Sequence, residues 1–221
     1  MPRESFERHL GELQNEVLVL GFMAEKAIFH SVEALKQRDL AAAEQVIAND
    51  LQINQKRHDV EEKCIELIAT QQPMAGDLRV IVAVLNIIVE LERMADYAEG
   101  IAKITLMIGD EPPLKPLIDV PRMAEKARDM LRRSLSAFIG RDIEAAKQIC
   151  VEDDEVDDLY DQVYRELLTF MIEDPRTITR ATRLIWVAHN LERIADRVTN
   201  ICERVVFMVT GKIEEIGSSK Y

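Results

Sequence analysis

Carboxylates spaced four residues apart recur at matched positions in this sequence. Glu92 and Asp96 form one such pair, and Glu192 and Asp196 form another one hundred residues later. In an α-helix, residues i and i+4 share a face and differ by a rise of about 6 Å. Carboxylate oxygens are ligands for hard and borderline cations, so each pair is a candidate for metal binding.

A second pair of polar residues, also spaced by four, lies on the helix that is predicted to precede each carboxylate pair. Asp153 and Asp157 are also four residues apart, and an offset of 103 residues aligns them with Asp50 and Asn54. If the two helices are antiparallel neighbours, four oxygen-bearing side chains surround one groove. The predicted metal ligands are Asp50, Asn54, Glu92 and Asp96 in the first half, and Asp153, Asp157, Glu192 and Asp196 in the second.

Such oxygen ligands suit Mg, Ca, Mn or Fe, with water in the open positions. Because Asn54 replaces a carboxylate, the first set is expected to bind metal more weakly than the second. An interpretation without metal is also open. Arg93 with Asp96, and Arg193 with Asp196, have the spacing of ordinary helix ion pairs, and a charged flank on a solvated helix needs no ligand.

The acidic pairs belong to a repeat that covers the whole sequence. Three segments occur twice in the same order: LERMAD (91–96) and LERIAD (191–196), MAEKA (23–27 and 123–127), and RDLAAAEQV (38–46) and RDIEAAKQI (141–149). Their offset changes between 100 and 103 only in connections, where insertions are tolerated. The pattern predicts a duplicated unit of about a hundred residues.

Composition and periodicity predict an all-α fold. Hydrophobic residues make up 48% of the chain, whereas aromatics make up 5% and only 8 residues are glycine. Six long helices are predicted, with starts near Ser5, Asp39, Asp77, Asp119, Asp142 and Thr177, and with Gly211 ending the last. They form two tandem three-helix bundles, residues 1–109 and 119–221, joined by a proline-rich linker at 110–118.

The predicted third helix is apolar on nearly every side from Val80 to Val89. A helix of this kind must be covered all round, either by the other bundle or by a second subunit, and this favours a homodimer. The run is also well short of the ~20 residues of a membrane helix, so the protein is not expected to be membrane-embedded.

Charge and cysteine content restrict the partners and the compartment. A net charge of −12 makes nucleic acid an unfavourable partner, because nucleic-acid binding depends on Lys and Arg neutralising phosphates. Cys64, Cys150 and Cys202 form no CxxC pair and lie on apolar stripes, so they are expected to be buried small hydrophobes. Reduced thiols and a charged N-terminal segment without a signal peptide indicate the cytoplasm.

Further segments lead into the acidic motifs: QPMAGDLR (72–79), EDPRTITR (173–180) and LERIADRVTNICE (191–203). With these, the six helices and both LERxAD segments, nearly the whole chain resembles the PhoU family of bacterial phosphate-uptake regulators. The resemblance implies two similar three-helix bundles. It also implies a cytoplasmic negative regulator without enzymatic activity, which couples the ATPase subunit of a phosphate ABC transporter to a membrane sensor histidine kinase.

The family resemblance also implies metal, since some members carry iron or zinc clusters on their E(D)-x-x-x-D motifs. Those motifs match the eight ligands predicted above, with Asn54 as the one departure. Two other classes compete with this hypothesis. A ferritin-like di-metal protein needs Glu-x-x-His, yet no histidine here follows a glutamate by three residues. A histidine phosphotransfer bundle needs an exposed helical histidine, for which His58 is the candidate.

Overall fold

The computed structural model describes residues 2–216, with side chains from residue 6 onward, and the described chain is helical without strands. The helices are α1 (Pro2–Gln37), α2 (Leu40–Gln71), α3 (Ala75–Ile108), α4 (Asp119–Gly140), α5 (Ile143–Glu152), α6 (Asp154–Glu173) and α7 (Ile178–Thr210). A 3₁₀ helix, Pro175–Thr177, precedes α7. The predicted all-α fold is confirmed. The predicted fifth helix is divided into α5 and α6 at Asp153, whose own backbone remains helical (φ −59°, ψ −38°).

Two of the predicted helix starts are wrong. Helix α1 already begins at Pro2, three residues before Ser5. Helix α3 begins at Ala75 after Met74, which has no side-chain capping bond, and Asp77 lies in the first turn. A carboxylate in the first turn still favours the helix, because it faces the positive end of the helix dipole.

The capping residues predicted inside the repeat are confirmed. The Asp39 carboxylate accepts a hydrogen bond of 2.9 Å from the Ala42 amide, and Asp142 accepts one of 3.0 Å from Ala145. The residue before each aspartate has a left-handed backbone, with φ of 55° at Arg38 and 53° at Arg141. The repeated Arg-Asp pair therefore builds the same turn twice: the arginine ends one helix and the aspartate begins the next.

Removing either cap should destabilise the protein by a similar amount. Asp39→Ala and Asp142→Ala are each expected to lower the free energy of unfolding by about 1 kcal/mol, because one amide at the helix start loses its acceptor. Urea denaturation measures this change. The control is Glu44→Ala, at an exposed position within α2, which should alter stability by less than about 0.5 kcal/mol. Caps without a measurable contribution would contradict the assigned turn geometry.

The two halves pack against each other through α3 and α7. Asn200 on α7 donates a hydrogen bond of 3.2 Å to Glu90 on α3. At the other end of this contact, Gly100 faces Asn190 so closely that an added Cβ would lie 3.1 Å from the amide nitrogen. Rising numbers on one helix meet falling numbers on the other, so the two helices are antiparallel. Helices α1 and α4 also pack together, and Arg128 donates to Glu25 at 2.9 Å.

This packing covers the all-round apolar segment of α3. Six side chains between Val80 and Val89 are buried within the chain, by α1, α2 and α7. Most buried apolar side chains of both halves form one continuous cluster from Phe6 to Met208. The apolar segment therefore gives no support for a second subunit. The division into units 1–109 and 119–221 remains a prediction, although residues 109–118 contain no helix.

The cysteines behave as predicted. Cys64, Cys150 and Cys202 are free and buried. Burial raises the pKa of Cys64 to about 12, and a hydrogen bond with Cys150, together with burial, raises that of Cys202. Neutral, buried thiols of this kind pack as small hydrophobes. Among residues 2–216, none of the helices is both long and apolar enough to cross a membrane.

Candidate functional site

The four carboxylates predicted in the second half lie together, and we call them the second acidic cluster: Asp153, Asp157, Glu192 and Asp196. Asp153 lies at the bend between α5 and α6, Asp157 in the first turn of α6, and the other two on α7. Burial and then the charges of Asp196, Asp157 and Glu192 raise the pKa of Asp153 to about 7. The cluster is therefore a site where one proton or one cation relieves strong repulsion.

Arg193 lies within this cluster and neutralises part of it. Its guanidinium donates two hydrogen bonds of 2.7 Å to the Glu192 carboxylate, which is only 2% exposed. It also contacts Asp196 at 2.9 Å, while His189 lies 3.5 Å from Glu192. Burial raises the pKa of Glu192, and the bonds from Arg193 oppose that shift. The ion pair predicted with Asp196 is thus present, and a stronger one with Glu192 accompanies it.

The predicted residues of the first half form a looser group, which we call the first acidic cluster: Asp50, Asn54, Glu92 and Asp96. The Asn54 amide donates to Asp50 at 2.8 Å. Burial, and then the charges of Asp96 and Glu99, raise the pKa of Asp50. Burial, and then Glu92 and Glu99, raise that of Asp96. In both halves, therefore, the acidic residues of the motif helix lie close to those that precede it, as predicted: α3 lies close to α2 in the first half, and α7 to the start of α6 in the second.

Glu99 also lies beside the first acidic cluster, although the sequence analysis did not identify it. It follows Asp96 by three residues and Glu92 by seven, so the helical period already placed it on the same face. Its carboxylate pairs with Lys103 at 2.5 Å. Arg93, in contrast, is half exposed: its guanidinium lies 4.0 Å from Glu90, and its charge acts on Asp96 from a greater distance, opposing the rise in the pKa of that carboxyl. The repeated arginine therefore hydrogen-bonds to the acidic cluster in the second half and acts on it at longer range in the first.

Neighbouring charges add to both clusters. The first has four carboxylates once Glu99 is included. The second has five, because Asp154 also raises the pKa of Asp153. Each cluster has two neighbouring lysine or arginine side chains. The advantage of one carboxylate expected for the second cluster from Asn54 therefore remains, and tighter metal binding there stays a prediction.

Three oxygen atoms in these clusters fit a cation. Asp50 Oδ1, Asn54 Oδ1 and Asp153 Oδ1 are buried and accept no hydrogen bond. A buried acceptor without a partner costs about 1–3 kcal/mol, and a cation or a water would remove that cost. Across residues 6–216, however, no three His, Cys, Asp or Glu side chains are already positioned around one ion. The donor atoms suit an oxygen-seeking cation, and side-chain rotation would have to complete its coordination.

A polar cavity of about 450 Å³ borders the second acidic cluster. Asp153 and Asp196 line it, as do Arg197 and Asn200, which both donate hydrogen bonds to Glu90 of α3. On another side, the Ile216 amide donates to Glu203 at 3.2 Å and brings the C-terminal segment over the cavity. Small hydrated ions therefore have a route to the second cluster.

The duplicated arrangement matches a known domain. A family model described as PhoU domain matches the chain twice, at residues 17–105 and 120–205. The chain belongs to the PhoU family. It is 39% identical over 213 residues to the phosphate-specific transport system accessory protein PhoU homolog of Clostridium acetobutylicum, covering 96% of this chain and 97% of that protein. The chain is also 40% identical over 206 residues to the corresponding homolog of Aquifex aeolicus, covering 93% of this chain and 93% of that protein.

Solved PhoU structures have the same fold. The crystal structure of PhoU from Pseudomonas aeruginosa superposes with a TM-score of 0.88 at 34% identity, over 94% of this chain and 100% of that one. The phosphate transport system regulatory protein PhoU of Streptococcus pneumoniae gives 0.88 at 30% identity, over 95% and 99%. The family resemblance read from the motifs is thus confirmed.

The structure gives no added support to the ferritin-like or the phosphotransfer alternative. In residues 6–216, His189 is the one histidine beside an acidic cluster, and burial lowers the pKa of its imidazole. His58 is exposed, as phosphotransfer would require, but its ring contacts only Arg57 and Glu61 of its own helix. A lone exposed histidine on a helix surface is ordinary.

Proposed function

We propose that this protein is a non-enzymatic negative regulator of phosphate uptake and of phosphate-starvation signalling. In this proposal it acts in the cytoplasm as an adaptor between the ATPase subunit of a phosphate ABC transporter and a membrane sensor histidine kinase. The observation that carries the proposal is the match to phosphate-transport accessory proteins over nearly the whole length of both chains. The long helices offer broad surfaces for docking, and the free, buried cysteines suit a reducing compartment.

We further propose that the two acidic clusters hold metal, with iron or zinc favoured and Mg, Ca or Mn as alternatives. The orphaned oxygens of Asp50, Asn54 and Asp153 and the raised pKa of Asp153 support it. A bound cation would supply positive charge between the carboxylates of α2 and α3, and between those of α6 and α7. The protein's own contribution is to hold the carboxylates close together in partly buried positions, where each unneutralised charge is costly.

A homodimer is part of the same proposal, although the apolar segment of α3 does not support it because that segment is covered within the chain. The surface that supports it instead is an exposed apolar stripe on α1, formed by Val19, Phe22 and Phe29. These residues are spaced by three and seven, so they share one face of the helix. Light scattering of the wild type and of a Phe22→Ser/Phe29→Ser variant tests whether this stripe joins two copies.

Complementation tests the regulatory role. In a host lacking its own PhoU protein, this chain is expected to restore repression of a phosphate-starvation reporter in phosphate-rich medium. His58→Ala should repress equally well, because no phosphotransfer is proposed for it. Reporter expression that stays high despite normal amounts of folded wild-type protein would refute the regulator. Loss of repression in His58→Ala alone would favour the phosphotransfer alternative.

Metal binding should be visible as stabilisation of protein first stripped with chelator. At a free Zn²⁺, Mn²⁺ or Fe²⁺ concentration ten times Kd, one site should add about 1.4 kcal/mol to the free energy of unfolding. Asp50→Asn/Asp96→Asn should remove the first cluster's share, and Asp157→Asn/Asp196→Asn the second's. Asp59→Asn/Asp161→Asn is the matched control, since Asp59 lies on α2 and Asp161 on α6, and neither belongs to a cluster. Equal stabilisation of all variants would exclude the clusters as the metal sites.

A further inference from the structure

A second cavity, of about 210 Å³, lies at the junction of the two halves and away from both acidic clusters. Its walls come from the end of α1, the end of α3, the connection 109–118 and the start of α7. Five large aliphatic side chains line it: Leu35, Ile108, Leu114, Leu117 and Leu184. Three prolines of the connection complete the wall, and their fixed backbone angles help to keep it open. The interior of this cavity is therefore apolar and is largely formed in advance.

The charged groups around this cavity are unevenly matched. Most of them have partners within the protein: Lys36 with Glu33, Lys115 with Glu166, and Glu111 with Arg183. Arg38 and Arg180 also line the cavity, and neither forms a salt bridge with a carboxylate in residues 6–216. Arg180 donates only to the Pro112 carbonyl, at 3.2 Å. Its charge also reaches Asp174 and helps to lower the pKa of that carboxyl, but Asp174 is already held by Arg176. In a chain with a net charge of −12, the two charges at this cavity that form no salt bridge in residues 6–216 are therefore both positive.

We propose that this cavity binds a small carboxylic acid with an apolar chain. The chain lies between the leucines, and the carboxylate meets Arg38 and Arg180, whose planar guanidinium groups suit two-point recognition of a carboxylate. An engineered apolar cavity of about 150 Å³ binds benzene, which has six carbons. The cavity here is larger, at about 210 Å³, and so accommodates an apolar chain of roughly seven carbons. An eight-carbon acid, with its carboxylate at the rim, therefore matches the available space.

This inference is independent of the proposed regulatory role, because it rests on the cavity alone. The ligand would touch α1 and α3 from the first half and α7 from the second. Binding would consequently stabilise the junction between the halves. A PhoU-family chain with this site would respond to a small organic acid as well as to its partner proteins.

Calorimetric titration of the full chain with octanoate tests the proposal, with octanol and octyltrimethylammonium as uncharged and cationic counterparts. Octanoate is expected to bind with one site per chain and at least tenfold more tightly than either counterpart. Arg38→Gln/Arg180→Gln should weaken octanoate binding at least tenfold. The matched control, Arg8→Gln/Arg132→Gln, removes two exposed arginines outside the cavity and should leave binding unchanged.

Two further variants keep the test decisive. Leu117→Trp fills the cavity and should abolish octanoate binding. If substitution of Arg180 or Leu117 prevents folding, the single variant Arg38→Gln is the deciding test, because the side chain of Arg38 is exposed and has no packing role. Its affinity for octanoate is expected to be at least threefold weaker. Absence of binding at millimolar octanoate, equal binding of octanol, or unchanged affinity in Arg38→Gln would each overturn the proposal.

Discussion

Arg193→Met is expected to lower the free energy of unfolding by about 3 kcal/mol at pH 7. Arg193 makes two hydrogen bonds to Glu192 and one ion pair to Asp196, and its own side chain is 25% exposed. Methionine leaves Glu192 buried without a cation, beside other carboxylates. Breaking a buried pair by removing one partner is strongly destabilising, because the remaining charge has lost both water and its counter-ion.

The repeat supplies the control for this variant. Arg93→Met changes the same residue at the same position of the first LERxAD segment, but Arg93 is 51% exposed and lies 4.0 Å from Glu90. Its stability is expected to change by less than about 0.5 kcal/mol. Urea denaturation of both variants measures the difference, and equal effects would contradict the assigned role of Arg193.

Acid and metal should each restore part of the stability that Arg193→Met loses. In the variant, Glu192 has a folded-state pKa raised further above its unfolded value, so the native state binds its proton more tightly. The deficit should therefore shrink as the pH falls from 7 toward 5. A divalent cation can replace the missing positive charge, so added metal should stabilise the variant more than the wild type. A deficit that stayed constant between pH 7 and pH 5 would show that lost packing, and not unpaired charge, is responsible.

The pH dependence of stability should be smaller in Asp153→Asn than in the wild type, both stripped of metal. Asp153 has a pKa of about 7 in the folded protein, against an ordinary value of 3.8, mainly because of burial and nearby carboxylates. A raised folded-state pKa favours the native state at low pH, and this contribution is lost as the pH rises through 7. Discounted for partial exposure, the wild type should lose about 2 kcal/mol from this group between pH 5 and pH 8.

Asp153→Asn removes this titration and nearly preserves the shape of the side chain. The difference in unfolding free energy between the variant and the wild type should consequently grow in the variant's favour from pH 5 to pH 8. Asp158→Asn, at an exposed position on the adjoining helix α6, is the control and should retain the wild-type profile. Parallel profiles for wild type and Asp153→Asn would show that the carboxylate does not titrate in this range.

The sequence by itself determined the fold class, the two repeated turns and most of the residues of the acidic clusters, although not Glu99. Helical periodicity and the caps at Asp39 and Asp142 depend on neighbouring residues, so they can be read locally. The repeat added long-range information, because an offset of 100 to 103 residues aligned Asp153 and Asp157 with Asp50 and Asn54. Those positions indeed face the motif helices in both halves.

Only the tertiary structure decided what neutralises each cluster and what covers α3. Arg93 and Arg193 have nearly identical sequence surroundings, yet one is half exposed and the other binds Glu192 and Asp196. The apolar segment of α3 permitted either a second subunit or the other half as its cover, and α7 of the same chain provides it. Both outcomes depend on distances between residues far apart in the sequence. Local periodicity fixes which face a side chain occupies, but not which partner meets that face.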